Sequence, residues 1–171
     1  MTTEVNFQEA AHSPQNILNR IDNFINDLVV PGLDIDIEKK PDINLAEIEN
    51  LDNVELSRYL TMFGSFRAYL DIQLSNIESK KTVFTSNFEE GFSRAIFLLE
   101  KRYEKENKKK PTKDSLRGEA LSMFPLLRKT RHESIEYEGM YIRIKGIRDA
   151  YAALYSSLSR VAALRLSKNE G

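Results

Sequence analysis

Two long stretches of the chain place apolar residues at alternating steps of four and three. The first runs through Leu56, Leu60, Phe63, Arg67, Leu70, Leu74, Ile77, Lys81, Phe84, Phe88, Gly91 and Ala95. The second runs through Met140, Ile144, Ile147, Tyr151, Leu154, Leu158 and Val161. This spacing is a heptad seam, the stripe along which one helix packs lengthwise on another. Asp52 or Asn53 suits the N-cap of the first stretch, and no proline follows until Pro111, so one helix is predicted from there to about Glu106. At 1.5 Å per residue it would span roughly 75 Å. Gly64 and Gly91 fall inside it as candidate kinks or close crossings. Pro125 opens the second long helix, predicted to reach about Ser167.

Neither helix can bury its seam alone. Joined by a loop, the two predict an elongated antiparallel α-hairpin in an all-α protein. Its tip is the lysine-rich segment of residues 101–113, followed by a short helix, "KDSLRGEALSMF", with Thr112 as cap and Asp114 in its first turn. Ahead of the hairpin, Ser13 and Pro14 open a short helix with Ile17, Leu18, Ile21, Phe24, Ile25 and Leu28 on one face. Residues Val30 to Leu51 then read as an acidic extended linker, with an edge strand expected at Leu33–Ile37. The expected organisation is an N-terminal helix and linker over residues 1–51, and a hairpin over residues 52–171 for oligomerisation and nucleic-acid binding. A chain of 171 residues, 41% hydrophobic, suits one domain with tails.

Charge changes this picture. The net charge of −1 conceals a gradient: residues 1–57 carry three basic and twelve acidic side chains, whereas residues 101–171 carry seventeen basic and nine acidic. The second seam itself lies in a segment, 139–171, with six basic residues (Arg143, Lys145, Arg148, Arg160, Arg165, Lys168) against Asp149 and Glu170. A basic body of this kind is expected to meet nucleic acid or another anionic surface, unless the acidic segment neutralises it.

The chemistry of catalysis finds few residues. Glycine-rich phosphate motifs are missing, His12 falls in the tail, and His132, one turn before Glu136, has no second such pair to complete a metal site. Asp34, Asp36 and Glu38 lack the turn glycine and closing glutamate of a calcium loop. No cofactor, metal or catalytic residue is therefore expected, and the protein is read as non-enzymatic. The absence of cysteine fits a reducing compartment, and neither a signal segment nor a membrane span is evident, so a soluble, cytoplasmic protein is expected.

Candidate nucleic-acid contacts are Lys101, Arg102, Lys105, Lys108, Lys109, Lys110 and Lys113, clustered around Tyr103, with Arg128 and Arg131 at the start of the second long helix. Phosphate-neutralising charge beside a stackable aromatic is what single strands favour. Because a second apolar line of Tyr141, Tyr155 and Ala162 flanks the seam from Met140 to Val161, that seam is expected to hold a homo-oligomer.

From about Leu56 to Ser167 the chain resembles the UvsY-type recombination mediators of tailed phages. The resemblance is carried by "SFRAYLDIQLSNIESKKTVF", "KKPTKDSL" and "YIRIKGIRDAYAALYSSLSRVAALR". It implies a non-enzymatic, oligomeric binder of single-stranded DNA that helps a RecA-type recombinase replace the single-strand-binding protein. It also implies DNA contact near the end of the first long helix, at Arg94, Lys101 and Arg102. The alternative is a structural coiled-coil adaptor or scaffold whose basic tip meets an acidic partner. The acidic segment 1–51 is expected either to cover the basic surface or to dock a partner protein.

Overall fold

The structure, a computed structural model, describes residues 14–28 and 45–169. Its elements are helix α1 (Pro14–Asn26), a 3-10 turn (Leu45–Asn50), and helices α2 (Asn53–Lys105), α3 (Lys113–Met123) and α4 (Pro125–Asn169). No strand occurs among the described residues, and α2 and α4 pack against each other as an antiparallel hairpin. The strand expected at Leu33–Ile37, the Ser13 cap and the acids Asp34, Asp36 and Glu38 lie outside the described residues.

Local chemistry sets the helix ends. Asp52 Oδ1 accepts a hydrogen bond from the Glu55 amide at 2.7 Å, and Glu55 Oε2 accepts one from the Asp52 amide at 3.2 Å. This reciprocal pair satisfies amides that the first turn of α2 leaves unpaired. At the other end Asn107 takes a φ of 48°, while the Asn107 amide donates to Glu104 O at 3.2 Å and the Lys108 amide to Tyr103 O at 3.0 Å. That is a Schellman stop, and asparagine tolerates its left-handed position better than most residues. Thr112 Oγ1 accepts from the Ser115 amide at 3.3 Å to begin α3, as the sequence predicts.

Contacts group the chain into two compact units, Met1–Arg20 with Ile77–Gly139, and Ile21–Asn76 with Met140–Gly171. The grouping cuts across both long helices, because a residue on a hairpin meets its opposite neighbour rather than its distant neighbours in sequence.

In the second of these units the seam closes on itself. Tyr151 of α4 stacks on Phe66 with ring centroids 5.0 Å apart and lies 5.7 Å from Phe63. Met140, Ile144, Tyr151 and Leu158 are buried, and Ile147, Leu154 and Val161 are half-buried. The residues expected to hold an oligomer are thus largely consumed inside one chain, since α2 is the partner that the α4 seam requires. On α2, Leu56, Phe63, Leu70, Leu74 and Ile77 of the expected line are buried, but Phe66 takes the buried place next to exposed Arg67. The Tyr155 ring lies 3.5 Å from where a side chain on Gly64 would begin. That is ordinary van der Waals distance, so no close crossing requires glycine at this position, and α2 continues through it unbroken.

The other unit holds Phe84 stacked on Tyr137 at 5.1 Å, Thr85 bonded to Ser134 at 2.8 Å and Lys81 paired with Glu138 at 2.5 Å. Its buried centre is Ala95, Leu99, Leu116, Ala120 and Leu127, ringed by Phe88, Phe92, Ile96, Tyr103, Leu121 and Phe124. Leu127 Cδ1 lies 3.4 Å from where a side chain on Gly91 would begin, at the near edge of ordinary contact, and α2 is unbroken here as well. A strict heptad step beyond Ala95 falls on Leu98, yet Leu99 is buried and Leu98 exposed. An α-helix drifts about 20° per heptad relative to a 3.5-residue repeat, and over a helix of this length the drift moves the seam by one residue.

Candidate nucleic-acid interface

The hairpin tip and the last turns of α2 carry most of the candidate contacts, and the structure sorts them into engaged and free. Lys108 Nζ lies 2.6 Å from Glu106 Oε2, Lys110 Nζ 2.8 Å from Glu100 Oε1, and Arg102 Nε 3.0 Å from Glu106 Oε1. Arg102 also reaches Glu119 at 4.0 Å. The hydrogen bonds from Lys108 and then Arg102 hold the Glu106 carboxyl below the usual carboxylate range. Glu106 in turn raises the Arg102 guanidinium, and the bond to Glu100 raises the Lys110 ammonium. These are exposed pairs, of the kind an incoming phosphate can replace at small cost.

Tyr103, expected to stack on bases, faces inward instead. It is half-buried against the apolar centre, and its hydroxyl donates to Glu119 Oε2 at 2.9 Å. That bond, then burial, lifts the Tyr103 phenol above its ordinary value. Arg128 is likewise occupied: Nε donates to Leu121 O at 3.2 Å and Nη2 to Ser122 O at 3.5 Å. It satisfies carbonyls that the last turn of α3 would leave unpaired. Sequence alone does not reveal this use, because the arginine follows its acceptors across a helix break at Phe124.

The remaining cations are exposed. Lys105, Lys109, Lys113 and Arg131 make no ion pair among the described residues. Arg94 pairs with Glu90 one turn earlier on α2. Lys101 Nζ sits 4.5 Å from the centre of the Phe97 ring, and Phe97 is 54% exposed. Arg94, Phe97, Lys101 and Lys105 follow at steps of three, four and four, which places them on one outward face of α2. The face combines three cations with one accessible aromatic. Phe97 was not among the sequence-predicted residues, although the same spacing is legible there once a single helix face is followed.

Beside this stripe lies an open groove of about 490 Å³ walled by Leu98 of α2 and by Phe124, Leu126 and Leu127, with Arg94, Glu90 and Thr130 on its polar positions. Among the described residues no group of three metal-binding side chains comes together, and no helix is long and apolar enough to cross a membrane. No protein-family model, curated protein or solved structure matches the chain.

Proposed function

We propose that this protein binds single-stranded nucleic acid through the outward face of α2 and the hairpin tip, as an accessory factor without catalytic activity. The observation that carries the reading is the stripe Arg94, Phe97, Lys101, Lys105, which sets an exposed ring among cations. Phosphates follow such charge, while a ring face accepts any base, so the pairing suits an unpaired strand better than a closed duplex. Lys109, Lys113 and Arg131 extend the positive surface, and Arg102, Lys108 and Lys110 join it when a phosphate displaces their glutamates. The resemblance to phage recombination mediators supports single-stranded DNA as the ligand, and on that reading a RecA-type recombinase and a single-strand-binding protein would be the partners. Met140, Ile144, Tyr151 and Leu158 are buried within the chain, so a homo-oligomer would draw mainly on other surfaces.

Replacement of Phe97 tests the reading. Stacking contributes about 1–3 kcal/mol per base, so Phe97→Ala should weaken binding of an oligothymidine about fivefold or more, while the dependence of log affinity on log salt stays unchanged. Equal affinity of wild type and Phe97→Ala would leave a merely electrostatic surface and return the adaptor reading to the front.

A further inference from the structure

The groove beside the stripe lies wholly within one compact unit, Ile77–Gly139, and leaves apolar side chains in water: Leu98 on α2 is 55% and Leu126 on α4 75% exposed. Exposed apolar surface at a shaped groove favours association, and the charges around it decide with what. The ten residues that line it include one acid, Glu90, and one base, Arg94, which pair one turn apart on α2 and are both exposed. A strand's phosphates, or an acidic protein, would be repelled at Glu90, and a basic protein at Arg94. A surface with one acid and one base matches itself instead. A two-fold axis passing between the two positions sets each acid against the other copy's base, because in a two-fold contact residue i meets j and j meets i. The neighbouring tip lacks this property: residues 101–113 carry seven basic side chains against Glu104 and Glu106, and two such segments repel each other.

We propose that two copies of this chain form a two-fold dimer through this groove. Arg94 of each copy meets the partner's Glu90, and the Leu98 and Leu126 side chains of the two copies cover one another. Within one helix the Arg94–Glu90 pair is an exposed one, so exchanging it for the same pair across the axis costs little. The ten lining residues are about half or less of what each side of a standard interface contributes, so the dimer is of micromolar rather than nanomolar strength. This inference does not rest on the nucleic-acid reading. Because Arg94 also belongs to the stripe, the dimer is measured without nucleic acid.

Sedimentation of the full-length wild type, diluted from roughly 100 to 1 μM, should pass from dimer to monomer within that range. Glu90→Arg and Arg94→Glu each set like charges against one another twice across the axis, and each should weaken association about tenfold or more. Circular dichroism should match wild type, because both positions are exposed. An equimolar mixture of the two variants restores opposite charges at both contacts and should recover dimerisation to within about threefold of wild type. Leu126→Asp, which sets a charge in the apolar centre of the contact, should abolish the dimer. A dimer that neither charge reversal weakens, or a mixture that associates no better than the single variants, would overturn the proposal and place self-association elsewhere. A wild type that stays monomeric at roughly 100 μM would overturn it too and leave the groove to a different kind of molecule.

Discussion

Two basic regions of the chain differ in what their cations meet. In the unit that holds Met140–Gly171, three of the six basic residues after Gly139 are engaged at home. Arg143 pairs with Asp22 of α1, Arg148 lies 2.9 Å from Asp71 of α2, and Arg165 donates to Asn53 Oδ1 at 3.0 Å and to Glu49 O at 2.9 Å. The Arg148 contact is an ion pair without hydrogen-bond alignment. In the tip unit Lys105, Lys109, Lys113 and Arg131 stand without ion pairs among the described residues, and Lys108 and Lys110 pair with glutamates close by in sequence, Glu106 and Glu100. A surplus of charge along a helix therefore says little about availability. Availability depends on whether acids from other elements arrive at the same face.

The largest expected effect separates packed seam from exposed groove. Tyr151→Ala should cost about 3–5 kcal/mol of unfolding free energy in urea, because its ring fills the space between Phe63 and Phe66. Leu126→Ala should cost less than about 0.5 kcal/mol. Comparable losses at the two sites would erase the contrast between them.

Next in size is the removal of the engaged arginines. Arg143, Arg148 and Arg165 changed together to Ala should lower stability by about 2 kcal/mol, since each loses a polar partner worth about 0.5–1 kcal/mol. The salt slope of single-strand binding should stay the same. A flattened slope in that variant would show that these arginines are available to DNA after all.

The converse variant, Arg94, Lys101 and Lys105 to Ala, should leave stability within about 0.5 kcal/mol of wild type. Its salt slope should flatten by about 2, at roughly 0.7 for each phosphate of a single strand that is no longer neutralised. Thermal melts beside titrations at two salt concentrations measure both quantities on one sample.

The smallest effect is a pH response at the tip. The Glu106 carboxyl is held below its ordinary range by Lys108 and Arg102. The stabilisation it contributes is present above the ordinary carboxylate range and is lost as pH falls through the depressed value. Protonation also releases Lys108 and Arg102 to bind phosphate, so affinity for oligothymidine should rise modestly as pH is lowered. Glu106→Gln should bind more tightly at neutral pH and lose that part of the pH response. A wild-type affinity that is flat with pH would mean that these pairs do not compete with the strand.

Much of the fold was legible in residue spacing and punctuation. The buried line from Leu56 to Ile77, the Thr112 cap and the helix start at Pro125 all follow from local rules, because helix periodicity and capping act within a few residues. The candidate interface was legible only in part. Lys101, Lys105 and Arg94 do lie on an exposed face, but Tyr103 turns inward to Glu119 and the available ring is Phe97. Arg128 is taken up by Leu121 and Ser122. A drift of the seam by one residue between Leu98 and Leu99 decides which side chains face water, and it accumulates over the length of α2.

By itself, then, the sequence determined that this chain forms two long helices joined through a basic tip, because heptad spacing admits few other solutions and the helix-stopping residues mark the ends. Only the tertiary structure decided which cations remain free and which aromatic is exposed. Those outcomes depend on acids and carbonyls brought together from distant positions, such as Asp22 to Arg143 and Glu49 to Arg165, and no local rule along the chain encodes those meetings.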